Sequence, residues 1–160
     1  MWSANSGGIR NVKGELIRPT EYEEPTMDGN KRRGMSTNFG IWWDGDLLRE
    51  LLDHEKVQKY DWKTGKVNVI KRFDGRFNNG TKSNPCLSGD ILGDWREEVL
   101  VRDAESTMLK LYTTDIPTDH RITCLMQDVP YRLSVATENV AYNQPPEPGF
   151  YLGVGMKKKK

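Results

Sequence analysis

The sequence predicts an all-β fold of short strands, and three observations carry that prediction. Fifteen glycines and eight prolines stand among many Asp and Asn residues, the punctuation of tight turns. Apolar residues come in short runs, and no long run follows a helical period. One strand-and-turn plan recurs: Gly45-Asp46-x-x-x-Glu50 returns as Gly93-Asp94-x-x-x-Glu98, 48 residues on. A repeat of that length, made of strands and turns, predicts one β-propeller blade per repeat. Two or three blades do not close, since about four are needed. The chain therefore reads as the C-terminal part of a larger propeller.

The elements follow in order. Residues 2–17 predict a hairpin, with a turn at Gly7-Gly8 and sparse apolar positions at Ile9, Val12, Leu16 and Ile17. Residues 18–37 read as an exposed polar insertion loop, with Glu21, Glu23 and Glu24 ahead of Lys31, Arg32 and Arg33. Residues 38–52 predict two strands around the tight turn Asp44-Gly45-Asp46. Residues 57–62 and 67–70 predict two more around Lys63-Thr64-Gly65. The second copy places strands at Val99-Leu100 and over residues 108–113. Residues 122–126 and 131–135 add two apolar stretches. Prolines at 145, 146 and 148 forbid regular pairing, and Phe150-Tyr151-Leu152 reads as a closing strand.

Composition excludes some classes. The 160 residues suffice for one domain with a core. Net charge is +1, from 24 basic and 23 acidic residues, which gives no electrostatic case for nucleic acid. No apolar span is long enough for a membrane helix. Residues 154–160, ending in four lysines, read as a solvated, disordered tail. Met1-Trp2-Ser3-Ala4-Asn5 carries no signal-peptide pattern and reads as mid-strand, so truncation is expected. Cys86 and Cys124 allow either one disulfide or two free thiols.

Two motifs can carry chemistry. Asp90, Asp94 and Glu98 occupy positions one, five and nine of a tight loop. The earlier copy has Asp44, Asp46 and Glu50 at positions three, five and nine. Calcium takes several oxygens at short range, which such loops supply. The alternative is an Asp-Gly turn whose carboxylates accept backbone N–H bonds. The second motif is Asn78-Asn79-Gly80-Thr81-Lys82-Ser83. Asn79-Gly80 is a strong two-residue hairpin signal. The same turn gathers amide, hydroxyl and ammonium groups beside the Asp90 loop. Trp42, Trp43, Trp62, Trp95 and Tyr142 suit sugar stacking or a core; Tyr142, in its proline-rich segment, is expected to be exposed. His54 and His120 are isolated and read as turn histidines.

These motifs, with His120-Arg121-Ile122 and Asn139-Val140-Ala141-Tyr142-Asn143-Gln144-Pro145-Pro146, resemble the bacterial rhamnogalacturonan lyases of polysaccharide lyase family 11. The likeness covers nearly the whole chain outside residues 18–37 and the lysine tail. It implies the last blades of an eight-bladed calcium-binding β-propeller over residues 1–153. It implies a secreted or periplasmic monomeric endolyase that cleaves the rhamnose–galacturonate backbone of pectin by β-elimination. Asn79, Gly80 and Thr81 match a substrate-binding turn, Lys82 a proposed catalytic lysine and Tyr142 a substrate-contacting tyrosine. A catalytic arginine and the active-site calcium ligands are expected upstream of Met1, so the 160 residues alone are expected to be inactive. The competing reading is a non-catalytic, calcium-stabilised propeller segment that binds pectic polysaccharide.

Overall fold

A computed structural model describes residues 8–19, 23–25, 31–33, 39–80, 83–140 and 143–156. Among them, β1 (Gly8–Arg10) pairs antiparallel with β2 (Leu16–Pro19). The hairpin was expected, but its turn is elsewhere. Gly8 is already in the strand, and the chain reverses at residues 11–15. There the Asn11 side chain accepts from the backbone N–H of Lys13 and Glu15 at 2.9 and 3.0 Å. An Asn that captures its own following backbone makes a turn without a Gly-Gly pair.

The polar insertion is corrected as well. Its described parts are β3 (Glu23–Pro25) and β4 (Lys31–Arg33), an antiparallel pair rather than a loop. The register sets Glu23 opposite Arg33 and Glu24 opposite Arg32.

The first repeat folds as expected. β5 (Phe39–Ile41), β6 (Glu50–Asp53), β7 (Lys56–Asp61) and β8 (Lys66–Arg72) form a four-stranded antiparallel meander in chain order. The second copy gives β9 (Leu87–Gly89), β10 (Glu98–Arg102) and β11 (Leu109–Tyr112), with β10 in the middle. Arg76 also bridges to Arg102, which faces Leu109 of β11 on its other side. Arg76 therefore lies on the same flank of β10 as β9. Residues 77–86 are an excursion from that flank.

The described fold is mostly β-sheet, as expected, with one helix in the apolar stretches near its C-terminal end. A 3-10 turn (Leu125–Gln127) leads into α1 (Val129–Thr137). Asp128 caps this helix, accepting from Tyr131 N–H at 3.1 Å, and a proline occupies the first turn. Both are helix-start signals. Residues 150–152 form no strand; a turn from Gly153 to Met156 follows them. Residues 157–160 lie outside the described residues. Cys86 and Cys124 are both free thiols. No helix among the described residues is long and apolar enough to cross a membrane.

Three hydrophobic clusters form among the described residues, and adjacent tryptophans enter the two larger ones. Trp43 shares one cluster with Phe39, Leu52, Val57, Phe73, Val99 and Val101, which come from both larger sheets and the segment between them. Trp42 packs with Trp95, Leu125, Tyr131 and Leu152, beneath α1. Trp62, by contrast, is exposed.

Between these cores lies a buried polar junction. Glu97 accepts from Trp42 N–H at 2.9 Å and from the Tyr131 hydroxyl at 2.7 Å. The same hydroxyl accepts from Asp90 N–H at 2.9 Å. Removing one partner of a buried bond leaves the other unsatisfied. Tyr131→Phe should therefore destabilise the chain by about 1–3 kcal/mol in a denaturant titration. An unchanged midpoint would show that the junction does not hold α1 to the sheets.

Candidate functional site

The repeated acidic loops are built on one pattern. Glu50 accepts from Trp43 N–H and Asp44 N–H at 2.9 and 3.2 Å. Glu98, 48 residues on, accepts from Ile91 N–H and Leu92 N–H, both at 2.9 Å. Asp46 and Asp94 accept from Leu48 N–H and Arg96 N–H in the same way. Gly45 and Gly93 both take positive φ, +87° and +82°, which glycine adopts without strain. Each glutamate thus pins its loop to the strand it begins.

Beyond this shared frame the loops differ. Asp44, Asp46 and Glu50 bring three carboxylate oxygens within 4.8 Å of one another. All-oxygen donors of this kind fit a hard cation such as calcium. The ammonium of Lys59, from β7, now occupies that convergence. It binds Asp44, Asp46 at 2.5 Å and Glu50 at 3.1 Å. Partial burial lowers the Lys59 pKa, but the carboxylates outweigh it and hold the ammonium well above its ordinary value. Burial first, then repulsion from Asp44, raises Glu50 to about 7.

Asp90, Asp94 and Glu98 do not converge in this way among the described residues. Asp90 accepts from Leu125 N–H at 2.6 Å. Asp94 pairs with Arg96 at 2.5 Å. Glu98 takes, besides its two backbone bonds, the Thr113 hydroxyl at 3.1 Å. These three carboxylates serve loop closure and docking of the 3-10 turn.

The second region is the excursion from β9. Asn78 and Asn84 exchange backbone bonds at 2.7 and 3.1 Å, and Ser83 N–H donates to Asn79 O at 2.6 Å. The expected two-residue Asn79-Gly80 turn is thus not formed: the strand ladder is left at Asn78 and rejoined at Asn84. Asn79 and Ser83 take the left-handed conformation, at φ +56° and +49°, whereas Gly80 does not. A type I′ turn would need positive φ at both central residues. Thr81, Lys82 and Tyr142 lie outside the described residues. Asn79 reaches the C-terminal segment through Asn143, at 3.2 Å.

This loop borders a cleft of about 400 Å³. Its lining includes Glu55, Arg76, Asn78, Asn79, Ser83 and Arg102. Sequence reasoning passed over both arginines, because neither sits in a recognisable motif. It also passed over Asn84, which is fully buried with neither amide atom bonded among the described residues. Lys59 was missed because its partners are 9 to 15 residues away.

The family model described as Rhamnogalacturonan lyase family 11, C-terminal domain, matches residues 1–160. The chain belongs to this family. It is 55% identical over 122 residues to rhamnogalacturonan endolyase YesW of Bacillus subtilis (strain 168), covering 76% of this chain and 20% of the relative. It is 51% identical over 132 residues to rhamnogalacturonan exolyase YesX of the same organism, covering 77% and 22%. The crystal structure of YesW superposes with a TM-score of 0.75 at 52% identity, over 82% of this chain and 23% of that one. The chain therefore spans about a fifth of the length of the curated relatives it matches.

In this family domain a second buried carboxyl resembles Glu50. Glu138, at the end of α1, accepts from Ser88 N–H and Ser88 Oγ, both at 2.8 Å. Burial raises it to about 7. Between the ordinary 4.5 and about 7, the native state keeps protons that the unfolded chain has released. Stability contributed by these groups is thus full below 4.5 and lost as pH rises through 7. The denaturation midpoint should fall from about pH 5 to about pH 7, and Glu138→Gln should flatten that slope. Parallel curves for variant and wild type would rule out Glu138 as the titrating group.

Proposed function

We propose that the chain is the C-terminal part of a rhamnogalacturonan endolyase that cleaves the rhamnose–galacturonate backbone of pectin by β-elimination. The observation that carries this reading is the 79–83 loop at the edge of a polar, arginine-bearing cleft, within a domain of this lyase family. The loop leaves the sheet flank and is tied at its foot by the Asn78 and Asn84 backbone bonds. Fixed this way, Asn79, Gly80 and Thr81 hold the sugar, and Tyr142 contacts it from the C-terminal segment.

The reaction removes the proton α to the galacturonate carboxylate, and negative charge grows on that carboxylate in the transition state. A cation beside it lowers the barrier. Lys82 follows Thr81 directly. Two roles fit it: a neutral lysine takes the proton, and a protonated lysine neutralises the charge. A free lysine has a pKa of about 10.4, so the first role requires cationic or apolar surroundings.

The meander and the second sheet are the last blades of an eight-bladed propeller. Asp44, Asp46 and Glu50 are its calcium ligands in this region, with Lys59 as the resident cation when calcium is absent. Bound calcium would supply a divalent charge that holds the loop between β5 and β6.

Two experiments test these assignments. Lys82→Ala, in a full-length lyase carrying this domain, should abolish the ultraviolet absorbance of unsaturated uronate products while thermal unfolding stays as in wild type. Full turnover in that variant removes Lys82 from the chemistry. Lys59→Met leaves three carboxyls without their ammonium, which should cost about 1–3 kcal/mol in chelator. Millimolar calcium should then restore the melting temperature by more than it raises that of wild type. A calcium-insensitive variant would show that the loop binds no calcium.

A further inference from the structure

The cleft beside the 79–83 loop holds a like-charged pair that the fold does not neutralise. Arg76 and Arg102 are antiparallel bridge partners, with Arg76 N–H donating to Arg102 O at 2.8 Å. Side chains of directly opposed residues leave on one face, and two like charges there cost stability. Both arginines line the same cleft.

The nearby acids are engaged elsewhere. Asp74 binds Lys110 at 2.5 Å. Asp103 accepts from Thr107 and Met108. Glu55, also on the cleft wall, accepts from Phe77 N–H at 3.2 Å and forms no ion pair with either arginine among the described residues. Among the described residues the Arg102 side chain is held by neutral acceptors alone, Ser106 Oγ at 3.0 Å and Asn78 Oδ1 at 3.4 Å. Arg76 is exposed and has no side-chain partner among the described residues.

A ladder that sets two arginines opposite each other on one cleft, and holds one with neutral groups alone among the described residues, leaves their charge for an outside anion. Guanidinium matches carboxylate geometry through two parallel N–H bonds. The cleft's 400 Å³ lies in the range of small-ligand sites. Asn79, which is exposed, and Ser83, which is buried, also line it and carry amide and hydroxyl groups of the kind that bind sugar hydroxyls. We infer that Arg76 and Arg102 form a subsite for the carboxylate of a uronic acid residue, next to the 79–83 loop. Asn78 positions Arg102, and Arg76 supplies the more exposed contact. This rests on the reading of the chain as part of a lyase acting on an acidic polysaccharide, and it adds residues that select the acidic sugar.

The test is a calorimetric titration, with two tetrasaccharides, of a full-length lyase that carries this domain and in which Lys82→Ala halts turnover. One alternates rhamnose and galacturonate; the other is its carboxyl-reduced form, with galactose in place of galacturonate. With both arginines in place it should favour the acidic sugar by about tenfold or more, the worth of a charge-assisted pair. Arg76→Gln should erase that preference and leave the affinity for the reduced sugar unchanged. Thermal unfolding reports whether the variant is folded; Arg76→Lys, which retains charge, should keep part of the preference. A preference intact in both Arg76→Gln and Arg102→Gln overturns the subsite and leaves the lyase reading standing. Equal loss for both sugars assigns Arg76 to the shape of the cleft and also overturns it. A full-length protein with both arginines in place that binds neither sugar refutes the substrate reading, and the subsite with it.

Discussion

The buried carboxylate of Glu97 is the constraint on which the arrangement of elements depends. An ionised carboxylate out of water is costly unless donors surround it. Here they come from three separate places: Trp42 N–H before the first acidic loop, the Tyr131 hydroxyl from α1, and the Arg49 guanidinium at 3.7 Å. Burial raises the Glu97 pKa, while Arg49 and the hydrogen bonds oppose that rise. Arg49 extends the network to Gly40 O, Pro146 O and Glu147. A Cβ at position 40 would lie 3.0 Å from the Arg49 side chain, so glycine there leaves the arginine its room. One carboxylate thus fixes the meander, the second loop, the helix and the C-terminal segment relative to each other.

The most legible part of the chain was the repeat. Gly, Asp and Glu at matched offsets reappear as matched hydrogen bonds, because a glutamate that closes a tight loop must stand at a set distance from the amides it caps. What the offsets hid was the difference in use. The first loop gathers its acids around Lys59, a residue of the adjacent strand. The second spends Asp90 on Leu125, 35 residues away. Contacts that depend on folding leave no local trace in the sequence.

The helix was missed for another reason. Its start signals, Asp128 and Pro130, lie between apolar stretches short enough to pass for strands. A nine-residue helix with a weak amphipathic pattern gives periodicity little to work with. The Asn79-Gly80 signal misled in the opposite direction. A favourable turn dipeptide was overruled by the Asn78 and Asn84 pairing, which sets the length of the loop from outside it. The cleft arginines became visible only once the sheet placed residues 76 and 102 opposite each other.

Trp42 and Trp43 stand side by side in the chain yet belong to different cores. An extended backbone sends neighbouring side chains to opposite faces, and a shift of one residue exchanges them. The segment from β5 to the first acidic loop therefore has no freedom in length. Gaining or losing one residue there would swap the two indoles between interiors of different shape and strip Glu97 of its amide. Descendants of this domain can lengthen the exposed turn at residues 62–65 by steps, but the tryptophan pair must be inherited whole, as a fixed reading frame for both interiors.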